Sequence, residues 1–247
     1  MKIKHLLAVF TVILSVNSAF SQDKKFKVHT VAFYNLENIF DTINDPDTYD
    51  EEYTPANGWT KKNYNKKLDN LSRVLIELGT SDVQKNSPVI IGGCEIENRR
   101  VLEDLVKHPT LINKGYKIVH FDSPDKRGID VGFLYQEKHF QPTSYINVPL
   151  YVYEAESASD KKNKKEEEEV EENVNYDKKT KRIYTRDQLL VTGLLDGEEI
   201  NIIVNHWPSR SGGEKRSSPY REAAGRLNRK IIDSIVKINP NAKIITM

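Results

Sequence analysis

The chain has 247 residues, a formal net charge of +1 and 38% hydrophobic residues, which is enough for one large domain or two small ones. The near-neutral net charge excludes a protein that attracts nucleic acid through its overall electrostatic field. It does not exclude a local basic groove that binds nucleic acid. Cys94 is the only cysteine, which excludes an internal disulfide. Its apolar neighbours Val89 to Gly93 predict a buried, unreactive thiol.

The first 21 residues are typical of a secretory signal peptide. Lys2 and Lys4 precede a short apolar run, and Ala19-Phe20-Ser21 offers small residues on both sides of a cleavage site. A short membrane anchor is the alternative, but the run is short for a bilayer. We therefore expect one domain over residues 22–247, secreted or periplasmic, with no integral membrane anchor after cleavage.

Strand and helix patterns alternate along the chain without a strict strand–helix–strand order. The predicted elements are a strand at Lys27–Tyr34, a loop at Asp41–Trp59, a helix at Lys62–Leu78, a strand at Val89–Ile91, a helix from Asn98 to Val106, strands at Tyr116–Phe121, Asp130–Tyr135, Gln141–Val148, Gln188–Leu195 and Glu198–His206, a helix after Ser218, and a strand from Lys243. Asp196-Gly197 predicts a two-residue hairpin turn. Ser218-Pro219 predicts a helix start, with Ser218 as cap and Pro219 in the first position. This mixture favours an α+β fold with much antiparallel sheet.

Residues 157–182 differ in composition from the rest of the chain. A basic block at Lys161–Lys165, an acidic block at Glu166–Glu172 and a second basic block at Lys178–Arg182 follow one another. Such a segment cannot bury enough apolar surface to offset the entropy lost on ordering. It predicts a charged, solvated insertion within the domain, and a partner-binding segment is the alternative.

Two polar clusters follow the first apolar strands, where a sheet presents side chains on a rigid support. Asn35 and Glu37 are two residues apart, so an extended chain places both on one side. An amide beside a carboxylate suits a phosphate oxygen and a hard cation. Glu95 ends the most apolar strand, where a carboxylate is costly unless it is paired or binds a metal. Strand-capping and helix-start residues are the alternative interpretation.

Two further clusters contribute arginine and histidine. The planar guanidinium of Arg127 suits a phosphate group, and Asp130 would orient Arg127 or a neighbouring base. A surface ion pair at a turn is the alternative. His206 follows an apolar strand and precedes Ser209, Arg210 and two glycines, a pattern typical of an anion-binding loop. In such a loop His206 would stabilise or protonate phosphoryl oxygens.

Other catalytic chemistries lack their motifs in this sequence. The chain has no G-x-S-x-G segment, no P-loop and no zinc-finger spacing. The remaining combination of carboxylate, amide and histidine fits a magnesium-type ion, Mg²⁺ or Mn²⁺, with an activated water.

In this order the clusters resemble the endonuclease/exonuclease/phosphatase superfamily, and above all its secreted bacterial branch. The matching segments are F-Y-N-L-E-N-I-F-D at Phe33–Asp41 and N-H-W-P-S-R-S-G-G-E-K-R at Asn205–Arg216, and the resemblance extends from Lys27 to Met247. It implies a DNase I-like fold, a four-layer sandwich of two mixed β-sheets flanked by helices. Its site would lie at one edge, where strand-end loops converge.

Residue roles follow from this resemblance and from the clusters above. We expect catalytic roles for His206, Asn35 and Asp130, phosphate or substrate binding by Arg127, Asn205, Ser209 and Arg210, and metal binding by Glu95 with Glu37 as a second carboxylate. The resemblance implies that Asn35 holds phosphate or tunes the site. It also implies that His206 stabilises the pentacovalent transition state or assists the leaving group.

The expected function is metal-dependent hydrolysis of phosphoesters, above all nucleic-acid phosphodiesters, by an extracytoplasmic monomeric endonuclease. A phosphatase or a phospholipase-type phosphodiesterase is the enzymatic alternative. The family pattern continues with a Gly-Asp-x-Asn motif and an Asp-His pair, and neither occurs in these 247 residues. On this basis the chain is expected to be C-terminally incomplete and inactive on its own, and a non-catalytic binding module is the alternative from another class.

Overall fold

The structure, a computed structural model, describes residues 27–155, 180–210 and 213–247. The strands are β1 (Val31–Ile39), β2 (Ile90–Ile96), β3 (Tyr116–His120), β4 (Asp130–Gln136), β5 (Phe140–Val148), β6 (Val152–Ala155), β7 (Thr180–Ile183), β8 (Gln188–Leu195), β9 (Glu198–Val204) and β10 (Ile244–Thr246). The α-helices are α1 (Lys61–Glu77), α2 (Arg99–Lys107) and α3 (Glu214–Ile238). Short 3₁₀ turns at Glu51–Tyr53, Pro55–Asn57 and Ile112–Lys114 complete the described elements.

Eight of these strands form two four-stranded mixed sheets. The first sheet has the order β1-β2-β4-β3 and the second sheet has the order β10-β9-β8-β5. The pairs β1–β2 and β9–β10 are parallel, and the other neighbours are antiparallel. Strands β6 and β7 pair separately as a two-stranded ribbon. The expected α+β fold with two mixed sheets is therefore confirmed.

Apolar side chains from both sheets meet in a core between them. This core contains Val89, Ile90, Cys94, Val119, Val131, Phe133, Phe140, Leu189, Val191, Ile200, Ile202 and Val204. Phe133 and Phe140 are fully buried and pack edge to face, with ring centroids 5.5 Å apart. Alternate residues of each strand point inward, so the other face of each sheet remains for the helices.

Helices cover the outer faces of both sheets. Tyr64, Leu68, Leu71 and Leu75 of α1 recur at the helical spacing and are buried in a second core with α2 and the first sheet. Helix α3 covers the second sheet, where Ala224 packs in a third core beside the β6 ribbon. The order helix, sheet, sheet, helix matches the four-layer sandwich that the resemblance implies.

Local signals predicted several element ends correctly. Asn98 caps α2, because its side chain accepts a hydrogen bond from the Val101 backbone N–H at 3.1 Å. Asp196 and Gly197 form the predicted hairpin turn with φ values of 46° and 92°, the double positive φ of a type I′ turn. Helix α1 lies within one residue of its predicted bounds at both ends.

The predicted start of α3 was wrong. The helix begins at Glu214, after Gly213, and Pro219 lies inside it. An additional turn forms before the proline, where the Ser217 backbone N–H and hydroxyl both donate to the Gly213 carbonyl, at 3.1 and 2.8 Å. Arg221 reaches back to Glu214 across this turn. These bonds stabilise the helical turn before Pro219, which the proline by itself does not favour.

Other expectations fall partly or wholly outside the described residues. The first strand begins at Val31 rather than at Lys27, and the final residues of the expected charged insertion, Thr180–Arg182, belong to β7. The expected signal peptide at residues 1–21 and most of the insertion lie outside the description. Among the described helices, none is long and apolar enough to cross a membrane.

Candidate active site at the strand ends

A β-bulge at Glu95 places its carboxylate at the edge of the first sheet. Cys94 pairs with Val131 and Ile96 pairs with Asp130, so Glu95 has no opposite residue on β4. Its φ of 61° lies in the left-handed region, which is uncommon for a residue with a Cβ atom and marks stored strain. Cys94 packs between the sheets and Ile96 packs under the helices. The bulge thereby turns the Glu95 side chain out of both cores.

The end of β1 departs from regular geometry in the same place. Glu37 and Asn38 have φ values of 53° and 58°, and the register with β2 jumps between Asn35 and Ile39. A bulge is a common means of re-aiming a side chain beside a functional site. Two neighbouring parallel strands therefore have left-handed residues near their ends. At this edge of the sheet the side chains of Asn35 and Glu95 meet.

Asn35, Glu95 and His206 converge at this edge, and we call them the Glu95 cluster. The Asn35 amide Nδ2 donates to Glu95 Oε1 at 2.9 Å, and Asn35 Oδ1 accepts from the Glu37 backbone N–H at 2.6 Å. His206 Nε2 lies 3.6 Å from the same Glu95 oxygen. The Asn35 amide thus fixes the carboxylate, which is 21% exposed and open to a ligand.

His206 is a neutral imidazole in this setting. Burial, followed by the charge of Arg186, lowers the pKa of His206 to about 4, and the negative charge of Glu95 opposes that shift. His206 Nδ1 is buried and has no hydrogen-bond partner among residues 27–155, 180–210 and 213–247. A neutral imidazole can donate from one nitrogen and accept at the other, so His206 is suited to contact a phosphoryl oxygen.

The buried Arg186 holds the His206 loop, and the sequence analysis did not identify it. Its guanidinium donates to the backbone carbonyls of His206 and Trp207, at 3.3 and 3.1 Å, and to Asp125 Oδ2 at 2.9 Å. Both charged side chains of the pair are less than a tenth exposed. An arginine two residues before the apolar strand β8 was the available signal in the sequence.

Arg127 lies on the solvent side of the same region. Its side chain is 56% exposed and its Nε lies 3.6 Å from Asp125 Oδ1. The Arg127 charge contributes to the lowered pKa of His206, so it acts at the Glu95 cluster. Arg127 and Arg186 both lie beside Asp125, whose negative charge offsets part of their positive charge.

Two expected residues have other partners. Glu37 is 75% exposed and its Oε2 lies 3.6 Å from Lys67 Nζ, because the left-handed backbone at Glu37 breaks the alternation that would place it beside Asn35. Asp130 is buried, with His120 Nε2 at 3.1 Å from its Oδ2 and the Ser123 backbone N–H donating to its Oδ1 at 2.6 Å. Burial raises the pKa of Asp130. It lies beneath the edge rather than facing Arg127.

The three remaining expected residues belong to the strand end and loop around His206. Asn205 is buried and its amide donates to Thr246 Oγ1 at 2.9 Å and to the Met247 carbonyl at 3.0 Å, which connects β9 to β10. Arg210 is 79% exposed and its Nε lies 3.4 Å from Glu214 Oε2. Ser209 lies in the loop between them. Their binding roles stay predictions.

Cys94 is the expected inert thiol. Its side chain is 2% exposed in the core between the sheets, and burial raises its pKa to about 12. A thiol in this state is not a nucleophile near neutral pH.

The donor set at Glu95 fits a magnesium-type ion. Mg²⁺ keeps several waters and is usually held by one or two carboxylates together with substrate phosphate oxygens. Glu95 supplies one carboxylate on a rigid strand end, with the Asn35 amide fixing its orientation. Glu95 could hold such an ion, and its role as a metal ligand stays a prediction.

Residues 30–164 and 158–247 match the Endonuclease/Exonuclease/phosphatase family. The chain belongs to this family, whose enzymes are hydrolytic phosphoesterases that generally depend on a divalent metal ion. The sequence resemblance to the superfamily is thereby confirmed. A search among curated proteins finds no match.

Solved structures with a similar fold share little sequence with the chain. A mannosyl-6-phosphatase from Bacteroides thetaiotaomicron VPI-5482 is 14% identical with a TM-score of 0.50, over 89% of this chain and 64% of that one. The human Nocturnin catalytic domain with bound sulfate is 16% identical with a TM-score of 0.40, over 64% and 50%. Humanized D. rerio TDP2 is 10% identical with a TM-score of 0.46, over 87% and 58%. The chain thus spans between half and two thirds of the length of these structures.

Proposed function

We propose that this protein is a divalent-metal-dependent phosphoester hydrolase that cleaves nucleic-acid phosphodiesters outside the cytoplasm, and that Glu95 holds its metal ion. One observation carries this proposal. The Glu95 carboxylate sits on a left-handed bulge at a strand end, with Asn35 Nδ2 at 2.9 Å and His206 Nε2 at 3.6 Å from the same oxygen. Strain of this kind persists only where the surrounding structure enforces it, and it clusters at functional sites.

Each residue of the edge has a separate task in this proposal. Asn35 is a positioning residue that fixes the Glu95 carboxylate through its amide. Bound at Glu95, a divalent ion would polarise a phosphoryl oxygen and lower the pKa of a water. Neutral His206 donates to another phosphoryl oxygen, where negative charge grows in the transition state. Arg127, which is exposed beside the cluster, binds non-bridging oxygens through its planar fork.

The polymeric substrate is favoured by exposed cations around the His206 loop. Arg127 and Arg210 are both more than half exposed and suit a phosphate backbone. Export is favoured by the signal-peptide pattern of residues 1–21. N-terminal sequencing of exported protein should then begin near Gln22, and an intact Met1 on exported material would contradict the expected cleavage.

A phosphomonoester is the second candidate substrate. The fold is similar to that of a mannosyl-6-phosphatase, and Glu214 pairs with both Arg210 and Arg221, which reduces the positive charge offered to a polyanion. A compact sugar phosphate needs fewer cations than a nucleic-acid backbone does. The same Glu95 cluster serves either substrate, since fold alone does not choose between them.

A substrate panel with a metal titration tests this proposal. Plasmid DNA, a single-stranded RNA, bis-p-nitrophenyl phosphate and mannose 6-phosphate are each offered with Mg²⁺ or Mn²⁺. We expect metal-dependent hydrolysis of the first three substrates. We also expect Glu95→Gln to raise the metal concentration needed for half-maximal rate at least tenfold, because a neutral amide attracts a dication less than a carboxylate does.

Glu103→Gln is the matched control, because Glu103 is an exposed carboxylate on α2 that pairs only with Arg99 and Lys107 among the described residues. It should leave the metal titration unchanged. Hydrolysis of mannose 6-phosphate alone would favour the second candidate. Equal metal dependence in Glu95→Gln and the parent would refute the assignment of Glu95.

A further inference from the structure

Two histidines and an aspartate meet at the opposite end of the sandwich, and we call them the His29 cluster. His29 Nε2 lies 2.8 Å from Asp196 Oδ2, and His139 Nδ1 lies 3.5 Å from Asp196 Oδ1. The two imidazole rings are tilted at 52° with centroids 4.9 Å apart. One donor atom from each of the three residues lies within 4.8 Å of the others. The three residues are therefore close enough together to share one ion.

The cluster is mostly shielded from solvent and is held by its backbone. The three side chains are only 14%, 22% and 19% exposed for His29, His139 and Asp196. The Asp196 backbone N–H donates to the His139 carbonyl at 2.8 Å, which joins two turns. Asp196 also has a left-handed φ of 46° in its hairpin, so its carboxylate has little freedom to move away.

An unsatisfied nitrogen points to a missing partner. His139 Nδ1 is buried and makes no hydrogen bond within the part of the chain that the structure describes, although Asp196 Oδ1 is 3.5 Å away. A buried polar atom without a partner is costly and needs an explanation. A metal ion between His139 and Asp196 would satisfy the nitrogen directly.

We propose that His29, His139 and Asp196 form a zinc-binding site. Two imidazole nitrogens with one carboxylate oxygen form a ligand set that suits the borderline-soft Zn²⁺ ion, whereas Mg²⁺ and Ca²⁺ prefer sites made of oxygen ligands. Zinc bonds of about 2.0–2.1 Å in a tetrahedral site place ligand atoms roughly 3.3 Å apart. The separations of 2.8 Å from His29 Nε2 to Asp196 Oδ2 and 3.5 Å from His139 Nδ1 to Asp196 Oδ1 involve different carboxylate oxygens. One donor atom of each residue lies within 4.8 Å of the others, so small side-chain rotations would bring all three to the bonding distance.

The three ligands come from different parts of the fold. His29 precedes β1 of the first sheet, His139 lies in the turn from β4 to β5, and Asp196 lies in the β8–β9 hairpin of the second sheet. Zinc here fastens one sheet to the other. His29 is six residues before Asn35, about 20 Å along a strand, so the site acts on stability and not on the chemistry at Glu95.

The Lys27 ammonium group lies in part of the space that a zinc ion would occupy. Its Nζ lies 3.0 Å from Asp196 Oδ2 and its side chain is 69% exposed. The ammonium group is the counter-ion of the carboxylate in the metal-free protein, and an exposed chain of this kind moves aside at little cost. Water would complete the fourth position of the zinc ion.

Zinc titration of the full chain, prepared without a histidine tag and stripped with EDTA, tests the proposal. Competition with a chromogenic chelator should show one equivalent of Zn²⁺ bound with a Kd below about 1 µM. At a hundredfold excess over Kd, zinc should raise Tm by about 5–10 °C, because it binds only the folded state. Mg²⁺ at the same concentration should not.

Two variants and one control identify the ligands. His139→Gln should weaken zinc binding at least a hundredfold and remove the shift in Tm. Asp196→Asn keeps the size and tolerates the left-handed backbone well, so it tests the carboxylate even if the histidine variant folds poorly, and it should weaken binding at least tenfold. His108→Gln is the matched control, because His108 pairs with Asp69 at 2.9 Å in a two-residue pair that lacks a third ligand among the described residues.

Three results would overturn the zinc site. The first is a parent protein that binds no stoichiometric zinc. The second is equal zinc affinity in the parent and His139→Gln. The third is a Tm that changes with protonation of the His29 cluster and does not change with zinc, which would show that the cluster is an ion pair.

Discussion

The two ends of the sandwich carry polar clusters of opposite chemical character. The Glu95 cluster has one carboxylate, an amide and a neutral histidine beside two arginines, whereas the His29 cluster has two histidines around one carboxylate. Hard oxygen ligands and arginine favour a magnesium-type ion and phosphate. Imidazole nitrogens favour zinc. Under the two proposals above, the first end is open to substrate and the second end joins the two sheets.

The two clusters also differ in why their backbones are left-handed. Asp196 adopts a positive φ because the two-residue hairpin requires it, and aspartate tolerates that conformation. Glu95 lies within a strand, where nothing in the local sequence demands a positive φ. The positive φ of Asp196 follows from the geometry of its turn. The positive φ of Glu95 has no such local cause, and it occurs at the sheet edge where polar side chains meet.

The largest expected effect concerns the buried pair of Arg186 and Asp125. Arg186→Gln should lower the free energy of unfolding by about 3–5 kcal/mol, because it leaves the Asp125 charge buried without its partner. Chemical denaturation measures this loss. Arg127→Gln, at an exposed position 3.6 Å from the same aspartate, should change stability by less than about 0.5 kcal/mol. Equal losses in the two variants would contradict the role of Arg186.

The next largest expected effect is the loss of catalytic rate when His206 is replaced. His206→Ala should lower kcat about 10²-fold with little change in KM, because the contact strengthens only in the transition state. His139→Gln, in the other cluster, should leave kcat within twofold of the parent when zinc is present. Steady-state kinetics on a phosphodiester checks both. A kcat loss of similar size in both variants would remove the functional distinction between the two ends.

Strain at Glu95 predicts a smaller gain in stability. Glu95→Gly should raise the free energy of unfolding by about 1 kcal/mol without metal, because glycine adopts the left-handed conformation without a Cβ clash. The same variant should be inactive. Denaturation in EDTA measures the first effect, and a clear loss of stability would show that the bulge is not strained.

The smallest expected effect concerns Lys27. Lys27→Met should tighten zinc binding roughly two- to fivefold, since an exposed ion pair of this kind contributes up to about 1 kcal/mol. The chelator competition used for zinc measures this change. Lys85→Met is the control, because Lys85 pairs with Asp82 on the surface. Weaker zinc binding in Lys27→Met would place Lys27 among the groups that support the ion.

Local patterns in the sequence predicted much of the fold. The α1 stripe, the Asn98 cap and the Asp196-Gly197 turn each depend on residues within a few positions of one another. The polar strand ends also indicated Asn35, Glu95 and His206, because each follows an apolar strand. Periodicity and turn chemistry are sufficient for such features.

Contacts between distant segments were beyond the reach of those patterns. Arg186 meets Asp125 across 61 positions, and the His29 cluster joins residues from three separate segments. The diversion of Glu37 toward Lys67 depends on a positive φ that no local motif announces. The early start of α3 likewise depends on bonds of Ser217 and Arg221 rather than on the proline.

The bulge in β2 has a consequence for how such a site can arise. Cys94 and Ile96 face opposite sides of the sheet and pair with the consecutive residues Val131 and Asp130, as two adjacent residues of an unbroken strand would. Glu95 is thus equivalent to one inserted codon. Its deletion would leave a regular ladder and both cores in place, so a single in-frame insertion could have supplied this carboxylate to an ordinary sheet edge.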